Sequence, residues 1–304
     1  MASLRDIRRN IKSVKNTQQI TYAMKMVSAA RIKRVQNAIL SSRPFAMKME
    51  RMMKDLNCEM GEEDFRSSPA FRLFEARKDA SAELLVLVAS DKGLCGAFNA
   101  NLFRTAVRWL KERQSRKIYA AVAGKKARDF LKRIKGLDLE IIHEAVGIFP
   151  HAGYVHAEML GSAVLDCYET KPVAGVTMIY NEFKSLVAQK TEETPLLPLK
   201  AMILQHQPGD ECAHKAEGED FSFEPEKKVL LESLLPRYVK SQLYRILLES
   251  QAAELAARMN AMESASKNAG EIIDALTLKL NRTRQSMITK ELSEIVSGAE
   301  ALNG

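Results

Sequence analysis

Aromatic residues are scarce, at 6% with one tryptophan in 304 residues, which disfavours one large core built around ring packing. Glycine and proline are sparse too, at 14 and 9, and that argues against a loop-rich scaffold and for long regular elements. No run of apolar residues approaches the roughly 20 that a helix needs to cross a bilayer. The N-terminus, MASLRDIRRN, lacks the apolar stretch of a secretory signal. It is basic and amphipathic, as a mitochondrial transit peptide is, but it flows without a break into the helix that follows. The four cysteines, Cys58, Cys95, Cys167 and Cys212, lie far apart and form no CxxC pair. Neither a disulfide framework nor a zinc knuckle is indicated, and a reducing cytoplasm is the simplest setting.

What is present is ordinary in bulk and uneven in distribution. Apolar residues make up 46% and charged residues 28%, as in a folded soluble protein, and the net charge is +8. Residues 1–54 hold 13 Lys and Arg against 2 Asp and Glu, so the remaining 250 residues sum to −3. The basic character belongs to one segment, and it calls for an acidic partner: nucleic acid, anionic lipid or an acidic protein surface.

Residues 3–57 read as one long helix, with Ser3 and Asp6 in a capping-box spacing. Ile7, Ile11 and Val14 are spaced four and three apart. Gln18, Thr21 and Lys25 follow in the same register, but the apolar stripe moves to Ile20, Ala23, Val27 and Ala30, which predicts a stutter and a partner surface that changes along the rod. Pro44 is expected to kink or break the helix. Residues 58–82 are mixed and polar, with Gly61 and Pro69, and read as a linker.

Strand and helix signals then alternate. Strands are expected over 83–89 (ELLVLVA), Lys117–Ala123, Leu139–Ala145 and 173–180, with further candidates over 185–190 and 200–205. Helices are expected over 98–113, 125–133 and 155–168. This alternation predicts a largely parallel sheet with helices on its faces, spanning 83–205. Residues 206–225 are polar and read as a surface loop. A final helix runs over 226–296, in a C-terminal segment reaching residue 304.

That helix carries the sharpest periodic signal. Leu255, Met259, Met262, Ser266, Ala269, Ile273, Leu276, Leu280, Thr283 and Met287 are spaced alternately four and three apart, and eight of the ten are apolar. A repeat of 3.5 residues sustained this long predicts a left-handed coiled coil. At 1.5 Å per residue, positions 255–287 span roughly 50 Å. A core helix of an ordinary bundle would give a similar stripe, but a globular domain rarely has room for helices this long at both ends. The fold expected is therefore an antiparallel coiled coil of the two terminal helices with an α/β domain inserted between them.

Motifs that could carry chemistry are weak. Ser90-Asp91-Lys92-Gly93-Leu94-Cys95-Gly96 lies between a strand and a helix, where glycines can bring a phosphate to backbone N–H groups. Neither GxGxxG nor GxxxxGK[ST] is present, so a tight turn is the simpler reading. Gly124-Lys125-Lys126 lacks the upstream glycine of a phosphate-binding loop, since position 119 is Tyr119. His206, Cys212 and His214 have no fourth ligand at zinc spacing. His143, His151 and His156 have no nucleophile beside them. Glu62-Glu63 and Glu192-Glu193 sit in polar segments. No catalytic, cofactor-binding or metal-binding residue is assigned. The basic N-terminal helix could bind nucleic acid, but Tyr22 and Phe45 are its only aromatics available for base stacking.

At this point the residues gain a resemblance. Ile7-Arg8, Asn16-Thr17-Gln18-Gln19-Ile20-Thr21 and Ala23-Met24-Lys25-Met26-Val27-Ser28-Ala29-Ala30 resemble the N-terminal helix of F-type ATP synthase γ subunits. Ser90 to Gly96 resembles a motif in that family's middle domain. Arg258-Met259-Asn260-Ala261-Met262, Ser266-Lys267-Asn268-Ala269, Asn281-Arg282-Thr283-Arg284-Gln285 and the run from Ile288 to Ala299 resemble its C-terminal helix. The likeness covers both terminal helices and is patchier between them.

The resemblance implies a central rotor shaft with no catalytic site and no cofactor of its own. Its coiled coil would sit inside a ring of α and β subunits, and its Rossmann-like domain would dock, with ε, on the membrane ring of c subunits. Proton flow would turn the ring and the shaft with it. Met24, Lys25, Arg284 and Gln285 match family contacts with the α/β ring. Phe221, Phe223 and Glu224 match, less specifically, the foot near the c ring and ε. Met24, Met26, Met259, Met262 and Met287 would give adaptable bearing contacts. The long loop with paired cysteines of chloroplast versions is absent, so thiol regulation is not expected. A chain that starts directly at the shaft helix resembles a bacterial subunit, peripheral on the cytoplasmic face of the cell membrane and touching it only through the c ring. The alternatives are a basic coiled-coil nucleic-acid-binding protein and a nucleotide-binding α/β enzyme with helical arms.

Overall fold

The computed structural model describes residues 4–59, 67–75, 77, 80–149, 151–199 and 224–303. In chain order the elements are α1 (Leu4–Glu59), a short 3-10 turn (Pro69–Leu73), β1 (Ala82–Val88), α2 (Phe98–Glu112), β2 (Lys117–Ala123), α3 (Lys125–Leu131), β3 (Leu139–Ala145), α4 (Tyr154–Thr170), β4 (Val173–Phe183), β5 (Gln189–Leu197) and α5 (Lys227–Asn303). They form two compact units, one of residues 1–29 with 258–304 and one of residues 30–257. Among the described residues no helix is long and apolar enough to cross a membrane.

The first unit is a pair of antiparallel helix segments. Gln18 reaches Ser266 and Lys25 reaches Glu263, so position rises along α1 as it falls along α5. The 3.5-residue repeat foreseen in α5 is present as burial. Met262 and Ala269 are buried. Beyond Gly270, Ile273, Leu276, Leu280 and Thr283 are partly covered while the residues between them are exposed. The seam ends there, because the last position of the repeat, Met287, is 44% exposed.

On α1 the expected stutter does not occur. The covered positions include Leu4, Ile7, Ile11, Val14, Gln18, Thr21, Lys25 and Ser28, an unbroken alternation of three and four, with Asp6, Met24 and Ala29 partly covered beside it. Ile20 and Val27, assigned to a shifted stripe, point outward at 61% and 49% exposure. The reason is that polar side chains can occupy a seam once their hydrogen bonds are met. Thr21 Oγ1 donates to the Gln18 carbonyl and Ser28 Oγ to the Met24 carbonyl, each at 2.9 Å. Apolarity alone does not mark the seam here, because the isoleucine and valine that suggest a shifted stripe are the residues turned outward. Pro44 does not end α1, which continues to Glu59. The capping role of Ser3 lies outside the described residues.

In the second unit α1 buries Ile32, Val35, Met49, Met53 and Leu56. The sheet has the order β3-β2-β1-β4-β5. β1 pairs with β2 and β4 in parallel, β2 pairs with β3 in parallel, and β5 adds antiparallel to β4. Strand periodicity divides the core in two. Leu84, Val86 and Val88 join Tyr119, Ala121 and Ala123 on one face, against Leu160 and Val164 of α4 and Leu235, Val239 and Ile246 of α5. Leu85, Leu87 and Ala89 join Ile118, Ala120 and Val122 on the other, against Leu102 and Trp109 of α2 and Leu131 of α3. Continuous burial on both faces is why β1 and β2 read as unbroken apolar runs.

Two strand expectations need correction. The candidate over 185–190 is mostly a turn. Ser185 N donates to the Ala188 carbonyl and Ala188 N to Ser185 Oγ, both at 3.0 Å. Strand β5 begins at Gln189 and runs to Leu197. Its first half (QKTEE) is charged because it is an edge strand, which hid it from a search for apolar runs. The candidate over 200–205 lies outside the described residues.

Gly124 closes the turn from β2 to α3 at φ 93°, and its N–H donates to the Ala145 carbonyl at 2.8 Å. A Cβ there would sit 2.1 Å from the Ala89 carbonyl oxygen. Gly124→Ala is therefore expected to destabilise the chain by at least ~2 kcal/mol through backbone strain and displacement of β1, checked by urea unfolding of the purified chain.

Candidate subunit interface

The side chains open to partners in the first unit lie off the seam. On α1, Ile20, Tyr22, Met26 and Val27 are all about half exposed or more, and on α5 so are Ile272, Leu278, Leu292, Ile295 and Val296. From Arg284 to Ala299 every residue of α5 is exposed. An apolar row of this length on a helix whose own seam has ended is the mark of a surface meant for other chains.

Of the contact residues read from the sequence, Arg284 and Gln285 sit on this exposed stretch. No hydrogen bond or ion pair reaches the Arg284 side chain among the described residues, so its donors are free for a carboxylate. Met24 is partly covered beside the seam. Lys25 differs: its Nζ lies 2.7 Å from Glu263 Oε1, with the lysine side chain 27% exposed. Glu224 is exposed just before α5. Phe221 and Phe223 lie outside the described residues, as do His206, Cys212 and His214.

In the second unit the loop from β1 to α2 is organised by Asp91, a role that the sequence motif around it does not reveal. Its carboxylate accepts the backbone N–H groups of Lys125 and Gly147 at 2.8 Å and of Phe149 at 2.9 Å. One side chain thus ties together three connections at the ends of β1, β2 and β3. Ser90 Oγ donates to the Lys92 carbonyl at 2.7 Å, and Asn99 Nδ2 donates to Ser90 Oγ at 2.8 Å. Cys95 and Phe98 pack on Ala253 of α5 at the point where strand order reverses between β1 and β4. That crevice is where sheets of this kind commonly take ligands, and here the chain's own side chains occupy it. Leu94 is held at φ 64° with its side chain 66% exposed, a strained and outward-facing residue at the loop tip.

A groove of about 570 Å³ runs between α1 and α5 in the same unit, lined by Ile39, Phe45, Tyr154 and Tyr244 with Arg43, Arg245 and Glu249. Tyr154 meets Tyr244 edge to face, with ring centroids 5.7 Å apart. Burial pushes the Glu249 carboxyl above its ordinary value of 4.5, and Arg245 pulls it back only in part. Their charged groups are 3.9 Å apart.

In chain order a mostly parallel five-stranded sheet domain is inserted between two long terminal helices, and that arrangement defines the class of protein. The comparisons give that class its family. The ATP synthase family model matches residues 3–302. An ATP synthase gamma chain from Elusimicrobium minutum is 48% identical, with both chains covered in full. One from Anaeromyxobacter dehalogenans is 45% identical over 99% of this chain and all of its own. Among solved structures, a Euglena gracilis mitochondrial ATP synthase (OSCP/F1/c-ring) matches at TM-score 0.65 and 20% identity, covering 98% of this chain and 94% of its own. The central stalk and c-ring of Tetrahymena thermophila mitochondrial ATP synthase matches at TM-score 0.56 and 26% identity, covering 81% and 99%. The chain belongs to the ATP synthase gamma-chain family.

The raised Glu249 has a consequence for stability. The folded state binds this proton more tightly than the unfolded chain, so the contribution falls as pH rises above about 4.5. Glu249→Gln is expected to raise stability at pH 7 and to flatten its fall with pH above about 4.5, read from unfolding midpoints between pH 4 and 8.

Proposed function

We propose that this chain is the central rotor shaft of an F-type ATP synthase, coupling rotation of a membrane c ring to ATP synthesis and hydrolysis in an α/β ring while making and breaking no bonds itself. The observation that carries the reading is the pair of outward apolar rows. Ile20, Tyr22, Met26 and Val27 on α1 and Met287, Ile288, Leu292, Ile295 and Val296 on α5 are exposed although the helices already have a seam of their own. A shaft enclosed by a ring needs two kinds of apolar surface: one to hold its helices together and one to bear on its housing.

The partners of this reading are the α and β subunits around the coiled coil, with ε and the c ring at the α/β domain. The shaft helices are assigned to residues 1–57 and 226–304, of which 30–57 and 226–257 pack with the docking domain of 83–205; the loop assigned to 206–225 lies outside the described residues up to 223. The complex is peripheral on the cytoplasmic face of a bacterial cell membrane and holds to the bilayer through the c ring. Arg284 and Gln285 contact acidic loops of the catalytic subunits, Met24 and Lys25 make another contact with β, and Glu224, Phe221 and Phe223 belong to the foot. Both relatives named above are ATP synthase gamma chains, and the nucleic-acid alternative has no support from them.

Recovery of the tagged chain from its native membranes tests the reading. Co-purification of two ring-forming subunits with ATP hydrolysis is expected, and recovery of nucleic acid in their place would overturn it. In the reconstituted complex, Arg284→Ala removes charge-assisted hydrogen bonds worth about 1.5–3 kcal/mol. ATP synthesis driven by an ion gradient should fall several-fold while the unfolding midpoint of the chain stays unchanged. Full retention of coupled activity would remove Arg284 from the contact.

A further inference from the structure

We infer that Gln18 and Lys25 act inside the chain as a register lock for the antiparallel helices, and that Lys25 is a positioning residue working through Glu263 rather than a direct contact with the ring. The inference rests on the rotor reading above and replaces the role assigned there by resemblance to Lys25.

Gln18, Thr21, Lys25 and Ser28 fill four successive seam positions on α1. Thr21 and Ser28 satisfy their hydroxyls on carbonyls of their own helix, so they carry no information about the opposing one. Gln18 and Lys25 reach across. Gln18 Nε2 donates to the Ser266 carbonyl at 3.3 Å, and Lys25 Nζ donates to Glu263 Oε1 at 2.7 Å. Gly270 lies against the same amide, since a Cβ there would stand 3.2 Å from Gln18 Nε2. The two cross-helix matches, Gln18 with Gly270 and Lys25 with Glu263, are spaced seven residues apart on both helices.

That spacing is what a lock requires. Seams of Ile, Leu and Met can repack after a slip of one heptad, because each apolar layer meets another apolar layer. A polar residue at a seam position singles out one register at a cost in stability. A slip of one heptad sets Lys25 level with Gly270 or Ala256, neither of which offers a carboxylate. The side chains of Lys25 and Glu263 are 27% and 57% exposed, and pairs this open add little to stability. Their effect is therefore on which register is chosen and held when torque shears one helix along the other.

Charge reversal in the assembled complex separates the two roles. Lys25→Glu, Glu263→Lys, the double exchange and Lys25→Arg are each incorporated, and ions pumped per ATP hydrolysed are measured in membrane vesicles, with subunit recovery followed in parallel. Each single reversal is expected to lower the pumping ratio at least about threefold, with the exchange restoring it to within about twofold and Lys25→Arg leaving it intact. An exchange no better than Lys25→Glu alone would overturn the lock and return Lys25 to a direct contact. Single reversals that leave the ratio unchanged would overturn both roles for Lys25. Failure of the unaltered chain to recover ring subunits would overturn the rotor reading itself, a result distinct from either.

Discussion

Every other feature of the shaft depends on one constraint: two long helices share a seam that returns every 3.5 residues. Once Leu4, Ile7, Ile11 and Val14 face inward, the positions that follow in the same rhythm must face inward as well, whatever side chains they carry. Gln18, Thr21, Lys25 and Ser28 are drawn into the interface by that geometry, and their hydrogen bonds are then found within and across the helices. The same geometry turns Ile20, Tyr22, Met26 and Val27 outward. Exposed apolar surface and covered polar surface on one helix are thus a single fact seen from two sides. Helix propensity cannot account for this arrangement, since it is indifferent to facing; tertiary packing can.

The second unit obeys a different rule, the two-residue period of strands. β1 and β2 are covered on both faces, so their sequences are apolar without alternation and were legible at once. α2 was legible for the opposite reason, because its single buried stripe of Phe98, Leu102, Ala106, Trp109 and Leu110 stands out from a polar background. β5 was not legible. It pairs along only one edge, it carries Lys190, Glu192 and Glu193, and its apolar end, Leu196 and Leu197, is too short to signal a strand by itself. Edge position erases the pattern from which strands are read.

The exposure of the proposed contact residues was partly legible. Arg284 and Gln285 were placed by a local motif, and both stand exposed on a helix segment beyond the seam. Lys25 was placed in the same way, but a motif does not say which way a side chain points. Its carboxylate partner, Glu263, is 238 residues distant in the chain and belongs to no shared motif. Asp91 illustrates the same limit. A carboxylate that accepts three backbone N–H groups from two other loops has no signature in sequence, because its partners are amides that any residue could supply. Contacts between side chains and distant backbone are physically strong and textually silent.

The charge distribution links the seam to the proposed role. Arg5, Arg8, Lys12, Lys15, Arg31, Lys33 and Arg34 on α1 are all exposed, while the seam between them is apolar or internally bonded. Local helix pairs cannot neutralise them, since residues 1–54 offer Asp6 and Glu50 as their only acids and Asp6 already meets Arg9 at 3.3 Å. Exposed cations of this density repel one another and favour an acidic surround, which lowers that repulsion on assembly. An acidic housing would act on every rotational position of the shaft, because charges around α1 are felt over about 8–10 Å at physiological salt. Apolar rows demand close fit at particular angles, whereas cations attract at all of them. A shaft that must stay enclosed while it turns is served by both, the apolar rows giving angular preference and the basic face giving retention between preferred angles.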